Sequence, residues 1–402
     1  MAKLIISQND QEFIKKHVKD KVSLLALSKH KYIVENWEYV LQQISARQKA
    51  EKKLPQWYQN YELIFPEGIS MEQCSSEITA QYKASLCKGE TLIDLTTGFG
   101  VDLLTMASQF ENIYGCEPNE KLCQILKHNA HIFQLSKIKI FNTSAESFLK
   151  SEDCPNAEWI YIDPSRRNTQ GERVELLQYS PNIFAIKQLL FQKAPKILIK
   201  LAPMLDIKLL IREFPETECV HIIAVENECK EILLEINSTN KTKTNRKIIT
   251  INFTKKGKET FSFLEQEEEI APLQTTNPKP NDYLYEPNAA IMKSGGFKCI
   301  ATRFDVKKIE KNSHLYISNK PCPEFPGRQF QIIQVIENFR KENLKRILPQ
   351  KAYNLTIRNF PETAETLKKR LKIHDGGDNF LFATTNKNGS YILLLCKKIS
   401  HL

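Results

Sequence analysis

An acidic residue and two glycines at the end of a short apolar run are the residues of this chain best suited to chemistry. The run reaches Asp94, and Gly98 and Gly100 follow it. Its apolar residues predict a buried parallel strand, and the glycines let the backbone bend and approach a ligand before a helix predicted over 101–110. Strand, acid, glycine turn and helix in this order are typical of a site for a nucleoside-bearing cofactor.

Two classes of cofactor fit such a turn. Dinucleotide sites need a third glycine three residues after the second, and Leu103 stands there instead. Asp94 lies at the predicted carboxyl end of the strand, where its carboxylate can meet a cationic amino group. S-adenosylmethionine carries such a group, so the residues favour this cofactor over a dinucleotide.

Three further strand ends follow Asp94 at intervals of about 20 to 30 residues. Glu117 ends the second apolar segment and is placed to bind both ribose hydroxyls. The third predicted strand runs into a polar turn, Asn142–Glu146, that can edge an adenine ring. The fourth, 159–162, leads into Asp163.

The four strand ends resemble those of the class I S-adenosylmethionine-dependent methyltransferases. The resemblance makes 94–100 the glycine-rich motif and Asp163-Pro164 the start of the catalytic loop. It implies an α/β fold with a Rossmann-like, seven-stranded, mostly parallel sheet. An antiparallel strand pair predicted within 220–237 would complete that sheet.

A segment before the first strand carries a second resemblance. Ser76 can cap a helix that bears Glu77 and Thr79. The segment is similar to the Thr-Pro-Glu stretch of cap-trimethylguanosine synthases, which covers the methionine end of the cofactor, although Ser replaces Pro here. The alternative is that Glu77 and Thr79 only begin a helix. The residues predicted to surround the cofactor are Glu77, Thr79, Asp94, Thr96, Gly98, Gly100, Asp102, Glu117, Pro118, Ser144, Ala145, Glu146 and Asp163.

The loop after the fourth strand is the predicted acceptor site. Amino-directed relatives have Asp or Asn, two prolines and an aromatic ring there, and the first two residues accept hydrogen bonds from the amine. This chain keeps Asp163 and Pro164 but has Ser165 and Arg166 next. Base stacking would then need the Arg166 guanidinium or a ring such as Tyr179. An arginine can equally clamp a phosphate, so base amines, carboxylates, phosphate-bearing groups and small molecules all remain possible acceptors.

The domain organisation follows from composition and from a further resemblance. Residues 1–75 show helical spacing, 76–240 cover the methyltransferase pattern, and the hydrophilic stretch 241–279 reads as a connecting segment. The last third is similar to a bacterial family of class I methyltransferases that carries a ferredoxin-like domain, here 280–323, and a THUMP-like domain, here 324–402.

The positive charge of the chain is concentrated in its last third. Residues 1–275 contain 35 Lys and Arg against 36 Asp and Glu, whereas 276–402 contain 22 against 11. A basic module beside a near-neutral catalytic domain is typical of a polyanion binder, and THUMP-bearing enzymes hold structured RNA. A merely soluble basic surface is the alternative, in which each of these residues is only a solvated charge. The candidates for phosphate contact are Lys341, Lys345, Arg346, Arg358, Lys368, Lys369, Arg370 and Lys372.

Composition excludes several other classes. The ten cysteines include no Cys-x-x-Cys pair, and His128 and His131 have no third ligand nearby, so neither a zinc site nor any other metal is expected. The chain contains no apolar run of 18 residues and no secretion signal at its start. A cytoplasmic protein without a membrane partner is therefore expected, and the sequence leaves its oligomeric state open.

The expected function is methylation of a base in structured RNA, tRNA or rRNA, with S-adenosylmethionine as methyl donor and Asp163 at the acceptor. Two rivals remain open: a methyltransferase of small molecules or proteins, and a noncatalytic RNA-binding factor that retains the fold.

Overall fold

The computed structural model describes residues 7–29, 32, 34, 36–166, 175, 178–240 and 245–399, without the side chains of Lys341 and Lys345. The chain forms two compact units: one holds residues 1–202, 212–217 and 233–242, and the other holds 203–211, 218–232 and 243–402. No helix in the described part of the chain is both long and apolar enough to cross a membrane.

The first unit begins with helices and continues with alternating strands and helices. The opening helices are α1 Gln8–His17, α2 Val22–Ala26, α3 Trp37–Lys53, α4 Pro55–Gln59, α5 Gly68–Gln73 and α6 Glu77–Leu86. The alternating elements are β1 Thr91–Asp94, α7 Val101–Met106, a 3-10 turn at Ala107–Gln109, β2 Asn112–Cys116, α8 Glu120–Ile132, β3 Ile138–Phe141, α9 Ala145–Lys150, β4 Trp159–Ile162, α10 Ile183–Lys193 and β5 Lys196–Leu201.

The segment 60–65, called the strap below, connects the opening helices to the glycine turn. Arg47 of α3 is fully buried and donates hydrogen bonds to the main-chain oxygens of Asn60, at 3.0 Å, and Leu63, at 2.7 Å. Burial lowers the pKa of Arg47 to about 10. At the end of the strap the ring of Phe65 lies 5.6 Å from that of Phe99, between the two glycines. The buried arginine thus fixes a segment that packs on the predicted cofactor turn.

The sheet of the first unit has the strand order β3-β2-β1-β4-β5-β7. Strands β1 to β5 are parallel throughout. The chain winds outward in one direction from β1 and in the other from β4, so a crevice opens between the carboxyl ends of these two strands. Open α/β sheets bind ligands at this switch point. The predicted Rossmann-like fold is confirmed.

Three elements contribute residues to both units, namely α11 Ile207–Glu213, β6 Thr217–Val225 and β7 Glu228–Asn237. In the second unit the order is β7-β6-β8-β9, where β8 is Lys247–Thr254 and β9 is Gly257–Leu264. The sheet strands therefore exceed the seven predicted.

The prediction of a connecting segment over 241–279 is wrong for residues 247–270, which form β8, β9 and helix α12 Glu265–Ile270. Two of the inward-facing residues of β8 are polar, so the sequence pattern did not predict a strand there. Thr250 donates a hydrogen bond to the main-chain oxygen of Phe261 at 3.0 Å, and Asn252 donates one to Glu259 at 2.9 Å. Hydrogen bonding makes the burial of these polar groups tolerable.

The rest of the second unit forms another, seven-stranded sheet of order β11-β12-β10-β13-β16-β15-β14. Its elements are β10 Tyr283–Pro287, α13 Ala289–Ser294, α14 Phe297–Arg303, β11 Lys307–Lys308, β12 Tyr316–Ser318, β13 Gly327–Ile336, α15 Lys341–Ile347, β14 Asn354–Arg358, α16 Ala364–Leu371, β15 Asn379–Thr385 and β16 Tyr391–Lys398.

One sheet and one of its buried clusters include residues of both predicted C-terminal domains. Strand β10 pairs antiparallel with β13, with Leu284 opposite Phe330. Both residues belong to a single cluster of buried side chains that also includes Phe382 and Leu394. Main-chain hydrogen bonding within the sheet thus continues across the predicted boundary at 323.

Candidate active site

Asp94, the last residue of β1, is a buried acid with one unpaired oxygen. Its Oδ1 accepts a hydrogen bond from the main-chain N of Thr96 at 2.9 Å, while Oδ2 has no partner among the described residues. Burial raises the pKa of Asp94 well above its usual value, and the carboxylates of Asp102, Asp163 and Glu117 raise it further. An unpaired buried carboxylate oxygen is costly, so this position suits a cation.

The glycine turn has a conformation that requires glycine. Gly98 and Gly100 have φ values of +52° and +92°, a region that other residues rarely adopt. A Cβ on Gly100 would also lie 2.2 Å from Cδ1 of Leu126. The main-chain N of Gly98 donates to Oε2 of Glu117 at 2.9 Å, so the turn is tied to the end of β2.

Glu117 follows β2 and lies close to the turn. Its Oε1 accepts a hydrogen bond from the main-chain N of Asn119 at 2.9 Å. Burial raises the pKa of Glu117, although the hydrogen bonds from Asn119 and Gly98 oppose the shift. The side chain of Asn142 donates to the main-chain oxygens of Glu117, at 2.9 Å, and Pro118, at 3.0 Å. These bonds hold the carboxyl ends of β2 and β3 together.

Three residues of the turn predicted at the adenine edge lie at the start of helix α9. Ser144 caps the helix, and its hydroxyl accepts a hydrogen bond from the main-chain N of Ser147 at 3.2 Å. Ala145 is buried, and Glu146 lies in the first turn. The helix therefore starts directly after β3, at the same edge of the sheet as Asp94 and Glu117.

Asp163 follows β4 and is fixed by its main chain. Its N donates to Oγ1 of Thr96 at 2.7 Å, which joins the end of β4 to the loop after β1. Pro164 comes next, and Ser165 forms two main-chain hydrogen bonds with Ser180, at 2.7 and 3.1 Å. The acceptor loop is thus held at both ends of its Asp-Pro-Ser segment.

Arg166 lies near the buried Tyr179. Burial raises the pKa of Tyr179, and the positive charge of Arg166 lowers it in part. The two groups predicted as alternatives for base stacking are therefore neighbours. The next residue, Arg167, lies outside the described residues.

Lys200, on β5, is a site residue that the sequence interpretation missed. Its ammonium donates a hydrogen bond to Oδ2 of Asp163. Strand β5 pairs with β4, with Ile199 opposite Ile162. Lys200 and Asp163 are the residues that follow this pair, so they lie side by side. The available signal was a single charge within the apolar run from Ile197 to Leu201.

Asp102 belongs to a buried polar network. Its Oδ2 accepts hydrogen bonds from the hydroxyls of Ser75, at 2.7 Å, and Tyr161, at 2.8 Å, and its Oδ1 lies 3.1 Å from Nζ of Lys83. Burial would raise the pKa of Asp102, but the charges of Lys83 and Lys200 and the two hydroxyls lower it below its usual value. These contacts occupy a carboxylate that the sequence assigned to the cofactor.

Glu77 and Thr79 are also engaged within the protein. The Oε1 atom of Glu77 accepts hydrogen bonds from the main-chain N atoms of Gln56, at 2.8 Å, and Trp57, at 3.1 Å, at the start of α4. Thr79 bonds to Ser76, which caps α6. The contacts therefore match the alternative in which both residues organise helix starts.

Family models match three parts of the chain. Residues 89–166 match the model described as RNA cap guanine-N2 methyltransferase. Residues 283–326 match a ferredoxin-like domain, and 327–398 match a THUMP-like domain. The chain is therefore similar to methyltransferases and carries C-terminal regions similar to ferredoxin-like and THUMP-like domains. It is an enzyme of the methyltransferase class, as the sequence predicted.

The chain is also similar to solved structures. A proposed methyltransferase from Porphyromonas gingivalis W83 is 28% identical, with 98% of each chain covered and a TM-score of 0.83. TrmK of M. capricolum, solved with S-adenosylhomocysteine, is 17% identical over 41% of this chain and 70% of that chain, with a TM-score of 0.34. No curated protein matches the sequence.

The basic candidates of this methyltransferase differ in their surroundings. Arg358 pairs with the buried Glu286 at 2.8 Å, Lys368 pairs with Asp375, and Arg370 pairs with Glu362 at 2.8 Å. Arg346 donates to Asn343 at 3.2 Å. Lys369 and Lys372 lie at the end of α16, and the side chains of Lys341 and Lys345 lie outside the described residues.

Proposed function

We propose that this methyltransferase binds S-adenosylmethionine at the carboxyl ends of β1, β2 and β3 and methylates a base amine in structured RNA, tRNA or rRNA. When bound, the cofactor supplies an electrophilic methyl group. The observation that carries the proposal is Asp163, which lies beside the switch point of the sheet and is joined through Thr96 to Asp94.

The described residues suit S-adenosylmethionine. The unpaired Oδ2 of Asp94 would accept the cofactor's ammonium group, which offsets the cost of burying that oxygen. Glu117 would accept the ribose hydroxyls, and Ala145 would lie against the adenine. Gly98 and Gly100 let the main chain approach the ligand because no Cβ stands in the turn.

Asp163 would act on the acceptor by position. An in-line methyl transfer depends mainly on aligning the attacking atom with the methyl carbon and excluding water. Oδ1 of Asp163 and the main-chain oxygen of Pro164 are oriented acceptors for the N–H groups of an amine. A carboxylate at this place also stabilises the positive charge that develops on the attacking nitrogen.

Two observations support RNA as the substrate. Residues 276–402 carry the whole net positive charge of the chain, and such an excess favours binding to phosphate groups. The matched family models refer to methylation of RNA cap guanine and to a THUMP-like domain.

The test compares methylated nucleosides by mass spectrometry in RNA from cells that lack this gene and from the same cells complemented with wild-type protein, Asp163→Ala or Asp153→Ala. Asp153 is an exposed acid of the same unit and serves as the matched control. One methylated nucleoside should be absent without the protein and restored by wild type and the control. Purified Asp163→Ala should lose about 10²- to 10³-fold in kcat.

Two outcomes would overturn the proposal in favour of a rival. Labelled methyl that enters a protein or small-molecule fraction and survives nuclease treatment would indicate a different substrate class. Retention of RNA by wild type and Asp163→Ala alike, without any methyl transfer, would indicate a noncatalytic binding factor.

A further inference from the structure

The pairing of Lys200 with Asp163 joins β5 to the acceptor loop. The Lys200 side chain is 12% exposed and that of Asp163 is 32% exposed, so the ion pair is largely shielded from solvent. The hydrogen bond goes to Oδ2. Oδ1 makes no hydrogen bond with any residue that the structure describes.

The two oxygens of Asp163 therefore differ in role. The main-chain N is held by Thr96, and Oδ2 is held by Lys200. With both restraints in place, rotation of the carboxylate is restricted, and Oδ1 keeps one direction. A group that must align an acceptor gains from such restraint, because a displacement of about 1 Å at a reacting centre costs about 100-fold in rate.

The charge of Lys200 also suits a crowded acidic site. The carboxylates of Asp163, Asp102 and Glu117 all raise the pKa of Asp94, which shows that the acids interact. Lys200 acts in the opposite direction on Asp102, whose pKa it helps to lower. An ammonium between these groups reduces their mutual repulsion and lets the acceptor loop approach β1.

We propose that Lys200 is a positioning residue for methyl transfer: it holds Asp163 so that Oδ1 faces the N–H of the acceptor amine. The inference rests on the proposed function, because it explains how Oδ1 of Asp163 is oriented to accept the hydrogen bond from the acceptor amine. Lys200 itself touches Asp163 and not the reacting atoms. Its removal should therefore affect the catalytic step more than the binding of either substrate.

The experiment measures methyl transfer to RNA and cofactor binding by Lys200→Met, Lys200→Gln and Lys200→Arg, with Lys196→Met as control. Lys196 is an exposed lysine on the same strand. For Lys200→Met, kcat should fall about 100-fold, whereas the KM for RNA and the calorimetric Kd for S-adenosylmethionine should change less than about 3-fold. Lys200→Arg should recover most of the loss, Lys200→Gln part of it, and the control should match wild type.

Circular dichroism separates this role from a structural one. If Lys200→Met unfolds, the comparison of folded Lys200→Gln and Lys200→Arg carries the test. A wild-type kcat in the folded neutral variants would overturn the proposal, and so would a loss of cofactor binding equal to the loss of rate. Failure of the proposed function looks different, because the wild-type protein itself would then methylate no RNA.

Discussion

Two buried acids near the ends of strands, Asp94 in the first unit and Glu286 in the second, have opposite surroundings. Asp94 is 1% exposed, and among the residues that the structure describes it has no basic partner and keeps an oxygen without a hydrogen bond. Glu286 is 2% exposed and pairs with both Arg328 and Arg358. The same burial thus leaves one charge uncompensated and the other shared between two guanidinium groups.

This difference distinguishes a ligand site from a structural ion cluster. The charge of Glu286 is balanced within the folded chain, so no ligand is needed to stabilise it. The charge of Asp94 raises the free energy of the protein until a cation arrives. The contrast predicts that removal of the Glu286 charge destabilises the protein, whereas removal of the Asp94 charge stabilises it.

The largest effect is expected for Glu286→Ala, because the substitution leaves two arginines without their acid. We expect a loss of about 3 kcal/mol in stability, the lower end of the range for a broken buried pair, since the arginine side chains are 35% and 36% exposed. All three tryptophans lie in the first unit. The far-ultraviolet circular dichroism midpoint in urea should therefore fall more than the tryptophan fluorescence midpoint. An unchanged midpoint, as expected for the exposed control Glu337→Ala, would show that the cluster is not stabilising.

A smaller effect is expected for Gly100→Ala, which sharpens the comparison by testing the turn beside Asp94. The positive φ costs roughly 1 kcal/mol, and moving the buried Leu126 side chain adds about as much. Gly389→Ala is the matched control, because Gly389 has a φ of +82° but open space around it. Thermal unfolding should show about twice the destabilisation at position 100. Equal losses at both positions would mean that the close contact is unimportant.

The smallest effect on stability, with the opposite sign, is expected for Asp94→Asn. Without ligand the variant should be about 1 kcal/mol more stable than wild type at neutral pH, while its affinity for S-adenosylmethionine falls about 10- to 100-fold. The pKa of Asp94 is raised on folding. The pH-dependent difference between variant and wild type should therefore be absent below the unfolded pKa of 3.8, grow as pH rises from there towards the raised value, and level off above it. Thermal unfolding and calorimetry across pH measure both effects, and a less stable variant would contradict the comparison.

The sequence was sufficient to place at strand ends those candidate residues that depend on local pattern. Asp94, Gly98, Gly100 and Glu117 each follow a short apolar strand, and parallel strands bring such ends to one edge of a sheet. The fold was implied by the resemblance of these strand ends to those of known methyltransferases.

Long-range contacts could not be predicted in this way. The pairing of Lys200 with Asp163 depends on two strands that lie 37 residues apart in sequence, and that of Arg358 with Glu286 joins two predicted domains. The sequence around Glu77 predicted a helix start, but it did not indicate that Glu77 accepts a hydrogen bond from the main chain at the start of α4. Strand β8 was missed because hydrogen-bonded polar residues occupy inward-facing positions.

The pairing of β10 with β13 limits how the last third of the chain can be used in engineering. The two family matches meet between residues 326 and 327, yet a chain cut there would separate hydrogen-bonded neighbours in one sheet. A fragment that begins at β13 would expose a long strand edge, which invites pairing with other molecules. The THUMP-like segment should therefore be grafted onto another enzyme only together with its ferredoxin-like neighbour.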